Sequence, residues 1–323
     1  MRDNTVRPIA YAVLAAVLYA LSTPVSKLLM SEMPPSFLAG VLYLGAGIGM
    51  IPISLIKRRA GSFRRIGKTD LPYIIGMVVL DIAAPVFLMI ALSKTYAANI
   101  SLINNFEIVA TSVIAFAIFK EKISAKLCLG IALITLSCLL LSFEGVGSFS
   151  FSAYSAFAFL ACIAWGFENN CTRKLSDCDP SKIVMIKGIG SGTGAILVSF
   201  ALQEEISASF YVLIALVLGF VAYGLSVFLY VSAQRSLGAA KTSSYYAVAP
   251  FIGALLSILL LRELPAISFY AAFVIMILGM ILVTRDKQSI GLHIKILLTL
   301  ASSRQIGIYQ IIVYSNGIRM IYF

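Results

Sequence analysis

The sequence predicts an all-α integral membrane protein with ten transmembrane helices arranged as two inverted five-helix repeats. Three observations lead to this prediction. The composition is too apolar for a soluble domain, the apolar stretches have the length of membrane spans, and the second half of the chain repeats the pattern of the first half. The distribution of basic residues then gives the orientation of the two repeats.

The apolar composition places the chain in a bilayer. Hydrophobic residues make up 60% of the 323 positions and charged residues only 12%, with a mean hydropathy of +0.97. A soluble domain of this size needs more polar surface. Charges and prolines divide the chain into ten apolar stretches of roughly 20 residues, the length that crosses about 30 Å of hydrocarbon as a helix. They lie near residues 9–30, 35–56, 71–92, 97–119, 125–143, 151–173, 182–202, 208–232, 242–261 and 266–284.

The two halves share charged and proline positions. Residues 91–123 align without a gap on residues 233–265, at an offset of 142, and Lys120-Glu121 recurs as Arg262-Glu263. At an offset of 146, Tyr19, Lys27, Pro34 and Gly49 recur as Trp165, Arg173, Pro180 and Ala195. Such repetition is typical of secondary transporters, whose site lies between the repeats. We therefore predict a first repeat at 8–143, a second repeat at 151–285 and a tail at 286–323.

The basic residues predict the topology. With the N-terminus in the cytoplasm, the segments predicted to lie inside carry 18 lysines and arginines, and those outside carry two, Lys94 and Arg262. This bias fits the positive-inside rule and places both termini in the cytoplasm, for a protein of the cell (inner) membrane. Because each half has five helices, the second half enters the membrane from the opposite side, which inverts the repeat. The net charge of +11 then reflects topology and attraction to membrane lipid, and we expect no nucleic-acid partner.

Cysteines, histidine and the tail add little chemistry. The five cysteines form no CxxC pair and are expected to be small core residues, and the single histidine, His293, lies in the tail. We therefore expect no metal, no cofactor and no enzymatic activity. The tail is Ile-rich but interrupted by Lys295, Arg304 and Arg319, so it is expected to be an interfacial helix or disordered, on the cytoplasmic side.

Short motifs at matching places in the two halves resemble a known family. Tyr19-Ala20 and Trp165-Gly166 stand in the first helix of each half, Ala-Ala pairs begin the fourth helices, and basic-Glu pairs end them. This pattern resembles the drug/metabolite transporter superfamily, and within it the EamA-like exporters, over about residues 8–285. The resemblance implies a central cavity lined by the first four helices of each half. It also implies that the fifth and tenth helices pack at the periphery, often at a homodimer contact.

A polar stripe crosses the fourth predicted helix. At about 100° per residue, its members fall within an arc of about 160°. They are Ser101, Asn104, Asn105, Glu107, Thr111 and Ser112. A carboxylate near the bilayer centre is costly, so Glu107 is expected to face a wet cavity, to be paired or to be protonated. The amides and hydroxyls either line the same cavity or bond one helix to another. Asn104, Asn105, Glu107 and Thr111 are therefore candidate substrate-binding residues.

The ninth predicted helix lacks this charge. The positions equivalent to Asn104 and Glu107 are Tyr246 and Ala249, and Tyr245 precedes Tyr246. We therefore expect an asymmetric site, polar on one side and aromatic on the other, with Tyr245 and Tyr246 against the solute. Tyrosine in membrane helices also serves packing and the lipid interface, and that alternative stays open.

Two further carboxylates lie within predicted spans. Asp81 is at the middle of the third helix, level with Glu107, and Glu168 follows Trp165 in the inner half of the sixth helix. Charged residues inside a membrane mark functional sites by default. Asp81, Trp165 and Glu168 therefore join the candidate substrate site.

Two lysines also lie within predicted spans. Lys187 is expected to snorkel to the inner surface, and Lys27 either snorkels to the outer surface or pairs inside. Three carboxylates against two lysines suggest internal pairing, with one acid left to bind a proton or a cation.

Closely spaced glycines mark the seventh predicted helix. Gly188 with Gly192, and Gly190 with Gly194, are four residues apart. The run resembles a phosphate-binding loop, but it follows no strand and lies inside a predicted span, so nucleotide binding is not expected. Glycines at this spacing instead let another helix approach closely. Gly45, Gly47 and Gly49 are expected to allow the same close approach in the second helix.

Together with the resemblance, these residues predict a secondary transporter, an exporter of small organic metabolites such as amino acids, that works by alternating access. Glu107 or Asp81 carries the proton if transport is proton-coupled, and uniport is the alternative. The other class is a membrane-embedded protein that does not transport, either a lipid-modifying enzyme or a scaffold. The enzyme needs a cluster of acids, histidine or a metal motif at a membrane surface, which the sequence lacks. A scaffold does not need the polar stripe.

Overall fold

The computed structural model describes residues 3–57, 64, 66–119, 124–141, 153–175, 178–206, 210–237, 245–262, 267–284, 310–314 and 317–321. Residues 1–285 and 286–323 form two separate compact units. The first unit is built from helices. They are α1 (Asp3–Ala20), α2 (Ser22–Leu29), α3 (Pro35–Lys57), α4 (Leu71–Lys94), α5 (Ala97–Ile103), α6 (Phe106–Phe119), α7 (Ala125–Leu141), α8 (Ala153–Lys174), α9 (Pro180–Ala201), α10 (Phe210–Leu218), α11 (Ser226–Leu237), α12 (Ala249–Leu261) and α13 (Ile267–Thr284).

The predicted all-α membrane class is confirmed for this unit. Judged by length and composition, six helical stretches among the described residues can cross a bilayer, and three shorter apolar helices accompany them. The six are Arg7–Leu29, Pro35–Leu55, Lys68–Lys94, Ala97–Ile114, Pro180–Ala201 and Phe210–Ala233. Helices satisfy every backbone amide internally, which lipid cannot do. Large apolar side chains such as Phe210 and Ile267 are strongly exposed, as expected of a surface that faces lipid.

Three of the predicted spans are not single straight helices. The first changes at Leu21, between α1 and α2, and the fourth at Asn104 and Asn105, between α5 and α6. At these points the backbone bonds run over three residues, from the amide of Leu21 to Leu18 and from that of Glu107 to Asn104. In the eighth span a π-helix, Gly219–Leu225, separates α10 from α11. Each of these stretches still counts as one candidate span, and short polar residues and glycines account for the local change in helix type.

Equivalent helices of the two halves pack directly on each other. Gly40 of α3 lies against Gly192 and Ile196 of α9, while Gly47 lies against Gly188 and Ile189. As the residue number rises along α3, the number of the contacting residue on α9 falls, so the two helices run antiparallel. Their residues correspond at the offset of 146 found in the sequence. The close approach expected of these glycines is confirmed, since a Cβ at Gly188 would collide with the backbone of Gly47.

The last helices of each half pair in the same way. Gly130 of α7 lies against Gly279 and Val283 of α13, and the Ser137 hydroxyl donates to the Ala272 carbonyl at 2.6 Å. These helices also run antiparallel, and they correspond at the offset of 142. Other contacts obey the same relation. Helix α4 of the first half packs on α8 of the second half, and the counterpart of α4, which is α11, packs on the counterpart of α8, which is α1. The described helices of the two halves are therefore related by an approximate two-fold rotation.

The cysteines follow the prediction in part. Cys138, Cys162 and Cys178 are buried and Cys171 is half-buried, but Cys128 is exposed on α7. A small, weakly polar thiol can face lipid or core, so the prediction of a core role for every cysteine was wrong at Cys128.

The second unit differs from the expectation for the tail. Its described residues form two antiparallel strands, β1 (Gln310–Tyr314) and β2 (Gly317–Ile321), with Gln310 opposite Ile321. An interfacial helix or disorder was expected there. The strands are rich in Ile, Val and Tyr, whose branched or aromatic side chains favour pleated backbone over helix.

Candidate functional site

A buried charge cluster joins three helices. The ammonium Nζ of Lys187 on α9 lies 3.0 Å from Asp81 Oδ2 on α4 and 3.1 Å from Glu168 Oε1 on α8. The Asp81 side chain is 0% exposed and that of Glu168 2%. The prediction that Lys187 snorkels to the surface was wrong. Two buried carboxylates hold its ammonium inside, because separating them from it would leave charges in a medium of low polarity.

Neutral donors complete this cluster. The Tyr43 hydroxyl donates to Asp81 Oδ1 at 3.3 Å, and the Trp165 indole donates to the Tyr43 oxygen at 3.4 Å. The Thr172 hydroxyl donates to Glu168. A buried network is stable when each member has its partners. Asp81, Trp165 and Glu168 are thus brought together as predicted, while Tyr43 was missed because it is one apolar-looking residue in a glycine-rich helix.

Glu107 lies in a second polar group, between α6 and α8. The Asn169 amide donates to Glu107 Oε1 at 2.6 Å and to the Thr111 hydroxyl at 3.3 Å. Gly166 allows this contact, since it packs against the backbone of Ala110 and Thr111. Among the residues that the structure describes, no lysine or arginine lies within ion-pair distance of Glu107. Of the three acids in this region, Glu107 is therefore the one without an ion pair among the described residues, although Lys187 lies within electrostatic range of it.

The asparagines before Glu107 occupy the helix break. The Asn105 amide donates to the Leu102 carbonyl at 3.1 Å, which fits the structural alternative for that residue. Asn104 and Asn105 are 7% and 1% exposed, yet the side-chain oxygen of each has no hydrogen-bond partner in the part of the chain that the structure describes. The Ser112 hydroxyl is used locally, on the Ile108 carbonyl. The predicted stripe is thus divided between local bonds and two buried acceptors.

Tyrosine rings form a continuous chain beside these acids. Their centroids are separated by 4.9 Å for Tyr230 and Tyr246, 5.8 Å for Tyr246 and Tyr19, 5.9 Å for Tyr19 and Tyr223, and 5.4 Å for Tyr223 and Tyr43. We call these five residues the tyrosine cluster. Glu107 lies within electrostatic range of Tyr19 and Tyr246. The polar group and the aromatic group are therefore neighbours.

The two predicted tyrosines separate in the structure. Tyr246 belongs to the tyrosine cluster, whereas Tyr245 is 36% exposed and makes none of the ring contacts. Adjacent helical residues point about 100° apart, so only one of them can face the centre. Tyr223 and Tyr230 were missed, although position 223 is the counterpart of Asp81 at the offset of 142, which could have identified Tyr223.

Lys27 has a different role from Lys187. Its ammonium donates to the carbonyls of Leu92 and Thr95, the latter at 2.9 Å, at the C-terminal end of α4. A cation is favourable at this end of a helix, where carbonyls lack amide partners. Lys27 is therefore held at the end of α4, away from the charge cluster.

The two-fold relation exposes an asymmetry of charge. Asp81, Glu168 and Lys187 correspond to Tyr223, Ser22 and Val41 at the two offsets. Tyr223 lies beside the side chain of Ser22, so a neutral hydroxyl pair stands where the other half has an ion cluster. The charged group and the neutral group lie near each other, because Tyr43 contacts Asp81 through its hydroxyl and Tyr223 through its ring.

Comparison with known proteins agrees with this arrangement. The model of the EamA-like transporter family matches residues 6–143 and 153–285, so it covers both repeats. An uncharacterized transporter of Methanothermobacter thermautotrophicus (strain Delta H) is 25% identical over 292 residues, which are 82% of this chain and 82% of that protein. A crystal structure described only as that of a protein superposes with a TM-score of 0.63 at 15% identity, covering 85% of this chain and 95% of that one. The likeness to this crystal structure extends to the fold alone.

The family indicates a membrane transporter rather than an enzyme. The match to both repeats also confirms the resemblance seen in the paired motifs of the sequence. The chain belongs to the EamA-like transporter family.

Proposed function

We propose that this chain is a secondary transporter, with ten transmembrane helices in two inverted repeats, that moves small organic metabolites across the cell membrane by alternating access. One observation carries the proposal. The contacts described above for Lys187, Trp165, Asn169 and Tyr246 each join one repeat to the other. A site built across the repeat interface changes whenever the repeats rock against each other. The antiparallel packing of equivalent helices supports the inversion.

The charge cluster and the neutral pair of Tyr223 and Ser22 act as the two gates of the transporter. Residues 168 and 187 lie near the ends of α8 and α9 that face the basic, cytoplasmic segments, so the charge cluster closes the inner side. The two-fold rotation relates the position of the charge cluster to that of Tyr223 and Ser22. This neutral pair closes the outer side. Opening inward must separate Lys187 from at least one carboxylate, while opening outward breaks only neutral contacts.

Glu107 is the coupling carboxylate. Asp81 already has an ammonium and a tyrosine hydroxyl, so its charge is balanced in place. Among the described residues, Glu107 accepts from the Asn169 amide and has no ion pair, while Lys187 acts on it from a greater distance. Its charge can be balanced by a proton or by a cationic substrate in turn. Such an exchange couples export of the solute to entry of a proton, and both termini remain in the cytoplasm. Amino acids are the first solutes to test.

Flux through purified protein tests the proposal. Proteoliposomes that carry the chain are offered labelled amino acids with and without an inside-acid pH gradient. We expect accumulation that grows with the gradient, loss of this growth in Glu107→Gln, and unchanged behaviour in Glu205→Gln, a control whose carboxylate is exposed in the segment after α9. Equal flux into protein-free liposomes for the whole panel would refute transport of these solutes.

A further inference from the structure

The candidate site carries an excess of negative charge. It contains three carboxylates, Asp81, Glu107 and Glu168, and one ammonium, Lys187. When all are ionised, the formal charge is three negative against one positive. The nearest other described lysine of the helical interior, Lys27, donates to backbone carbonyls at the end of α4. A bound solute therefore meets a field that favours positive charge.

An anionic group on the solute would have no ammonium of its own here. Lys187 already contacts two carboxylates, and burying a third beside it would leave negative charges uncompensated. A positive group has a partner, because Glu107 accepts from Asn169 through Oε1 and has no ion pair among the described residues, where Lys187 is paired with Asp81 and Glu168 instead. The charges thus discriminate between the two ends of an amino acid, in favour of its amine.

Two buried oxygens also require hydrogen-bond donors. The side-chain oxygens of Asn104 and Asn105 are buried without a partner in the turn just before the helix of Glu107. An unpaired buried acceptor destabilises the folded protein, and a hydrogen-bond donor removes that penalty. Asn104 is the counterpart of Tyr246, and Tyr246 contacts the tyrosine cluster, so the two-fold relation places Asn104 at the same central position in the first repeat. An ammonium has several N–H donors and no acceptor, as the Asn104 oxygen and Glu107 require.

The tyrosine cluster accommodates the rest of such a molecule. Its five rings lie in one chain with centroids 4.9 to 5.9 Å apart, and Glu107 is within electrostatic range of two of them. Aromatic faces attract organic cations and pack against aromatic or apolar groups. A carboxylate beside an aromatic cluster therefore matches a molecule with an ammonium at one end and an apolar body at the other.

From these four features we infer that the site binds monovalent organic amines with an aromatic or apolar body and without a carboxylate. This inference rests on the proposed transport function and narrows its small organic metabolites to amines, which the site binds more tightly than the corresponding amino acids. Glu107 contacts the ammonium, the side-chain oxygen of Asn104 accepts from it, and the tyrosine cluster holds the body.

The single tryptophan of the chain reports binding directly. Trp165 is the only tryptophan in the sequence, and its indole lies 3.4 Å from the Tyr43 hydroxyl of the tyrosine cluster. Detergent-solubilised full-length protein is titrated with phenethylamine, phenylalanine and phenylpropionate, three probes with one phenyl body that differ in their charged groups. We expect saturable change of the Trp165 emission with the amine at the lowest concentration, with phenylalanine at roughly tenfold higher concentration, and no saturation with the acid.

Matched variants assign the effect to the site. Glu107→Gln should weaken phenethylamine binding by roughly tenfold to a hundredfold, the usual range for a hydrogen bond to a charged group. Tyr246→Leu should weaken it less, and Glu205→Gln should leave it unchanged. Equal saturation by amine and acid, stronger binding of phenylalanine than of phenethylamine, or no response to the amine would each overturn the amine assignment. Flux of amino acids in proteoliposomes would still stand in those cases, so failure here is distinct from failure of the transport proposal.

Discussion

Lys187 Nζ and Asp81 Oδ2 lie 3.0 Å apart, although the two residues belong to different repeats. This pair ties the first matched segment to the second at a buried position, because the Asp81 side chain has no exposed surface. Its importance for folding can be separated from its importance for transport by changing one partner and then both.

Lys187→Met should reduce the free energy of unfolding in detergent by about 3 kcal/mol, since it leaves two buried carboxylates without their cation. Adding Asp81→Asn to it should recover part of the loss, because only Glu168 then remains unbalanced. Lys182→Met, on the exposed side of the same helix, is the control and should change the unfolding midpoint little. Equal midpoints for Lys187→Met and Lys182→Met would show that the cluster does not stabilise the protein.

Gly188→Ala should destabilise the protein by about 1 to 3 kcal/mol, because the added Cβ meets the backbone of Gly47 and forces α3 and α9 apart. Gly76→Ala is the matched control. Its Cβ meets only the sulfur of Cys171, at 3.2 Å, which can move. Thermal unfolding of the two variants in the same detergent makes the comparison. A larger loss for Gly76→Ala than for Gly188→Ala would contradict the antiparallel glycine contact.

The orientation of the repeats is open to a direct test by fusion. A reporter placed after Lys68 or Lys126 should be cytoplasmic, and one placed after Glu205 should lie outside, because the basic residues divide 18 to two between the predicted sides. Reporter activity in intact cells reads each position. A cytoplasmic signal after Glu205 would remove the basis for an inverted repeat.

A chain that ends at Arg285 should keep the stability and transport of the full-length protein. Residues 286–323 form a separate unit, and the family match ends at residue 285. Flux in proteoliposomes and the unfolding midpoint, each compared with the full chain at equal protein content, give the answer. Loss of either property would assign the tail a function in the first unit. The predicted homodimer contact on α7 and α13 can be examined with the same preparations, by cross-linking.

Part of this architecture could be predicted because it depends on local sequence. The repeat offsets, the apolar lengths and the glycine spacing of α9 each predict a property of one helix, and Glu107 is visible as a lone acid in an apolar run. The partner of Lys187 could not be predicted in this way. Its depth in α9 suits snorkelling, and only the crossing of α4 and α8 brings Asp81 and Glu168 to it.

The tyrosine cluster was missed for a related reason. Tyr223 and Tyr230 are seven residues apart on a stretch that includes the π-helix, whose wider turn alters the facing of each side chain. Regular periodicity therefore assigns those faces incorrectly. The break at Asn104 and Asn105 similarly rotates the residues after it, which is why the predicted stripe does not act as one surface.

The unequal charges of the two halves also bear on how such a chain can evolve. Two copies of the first repeat would contain Asp81 and Glu107 twice, and at the place of Lys187 they would have only Val41. Two copies of the second repeat would supply Lys187 and Glu168 but neither Asp81 nor Glu107. Because these few positions differ between the halves, each half depends on the other, and two identical copies of either repeat could not form the charge cluster.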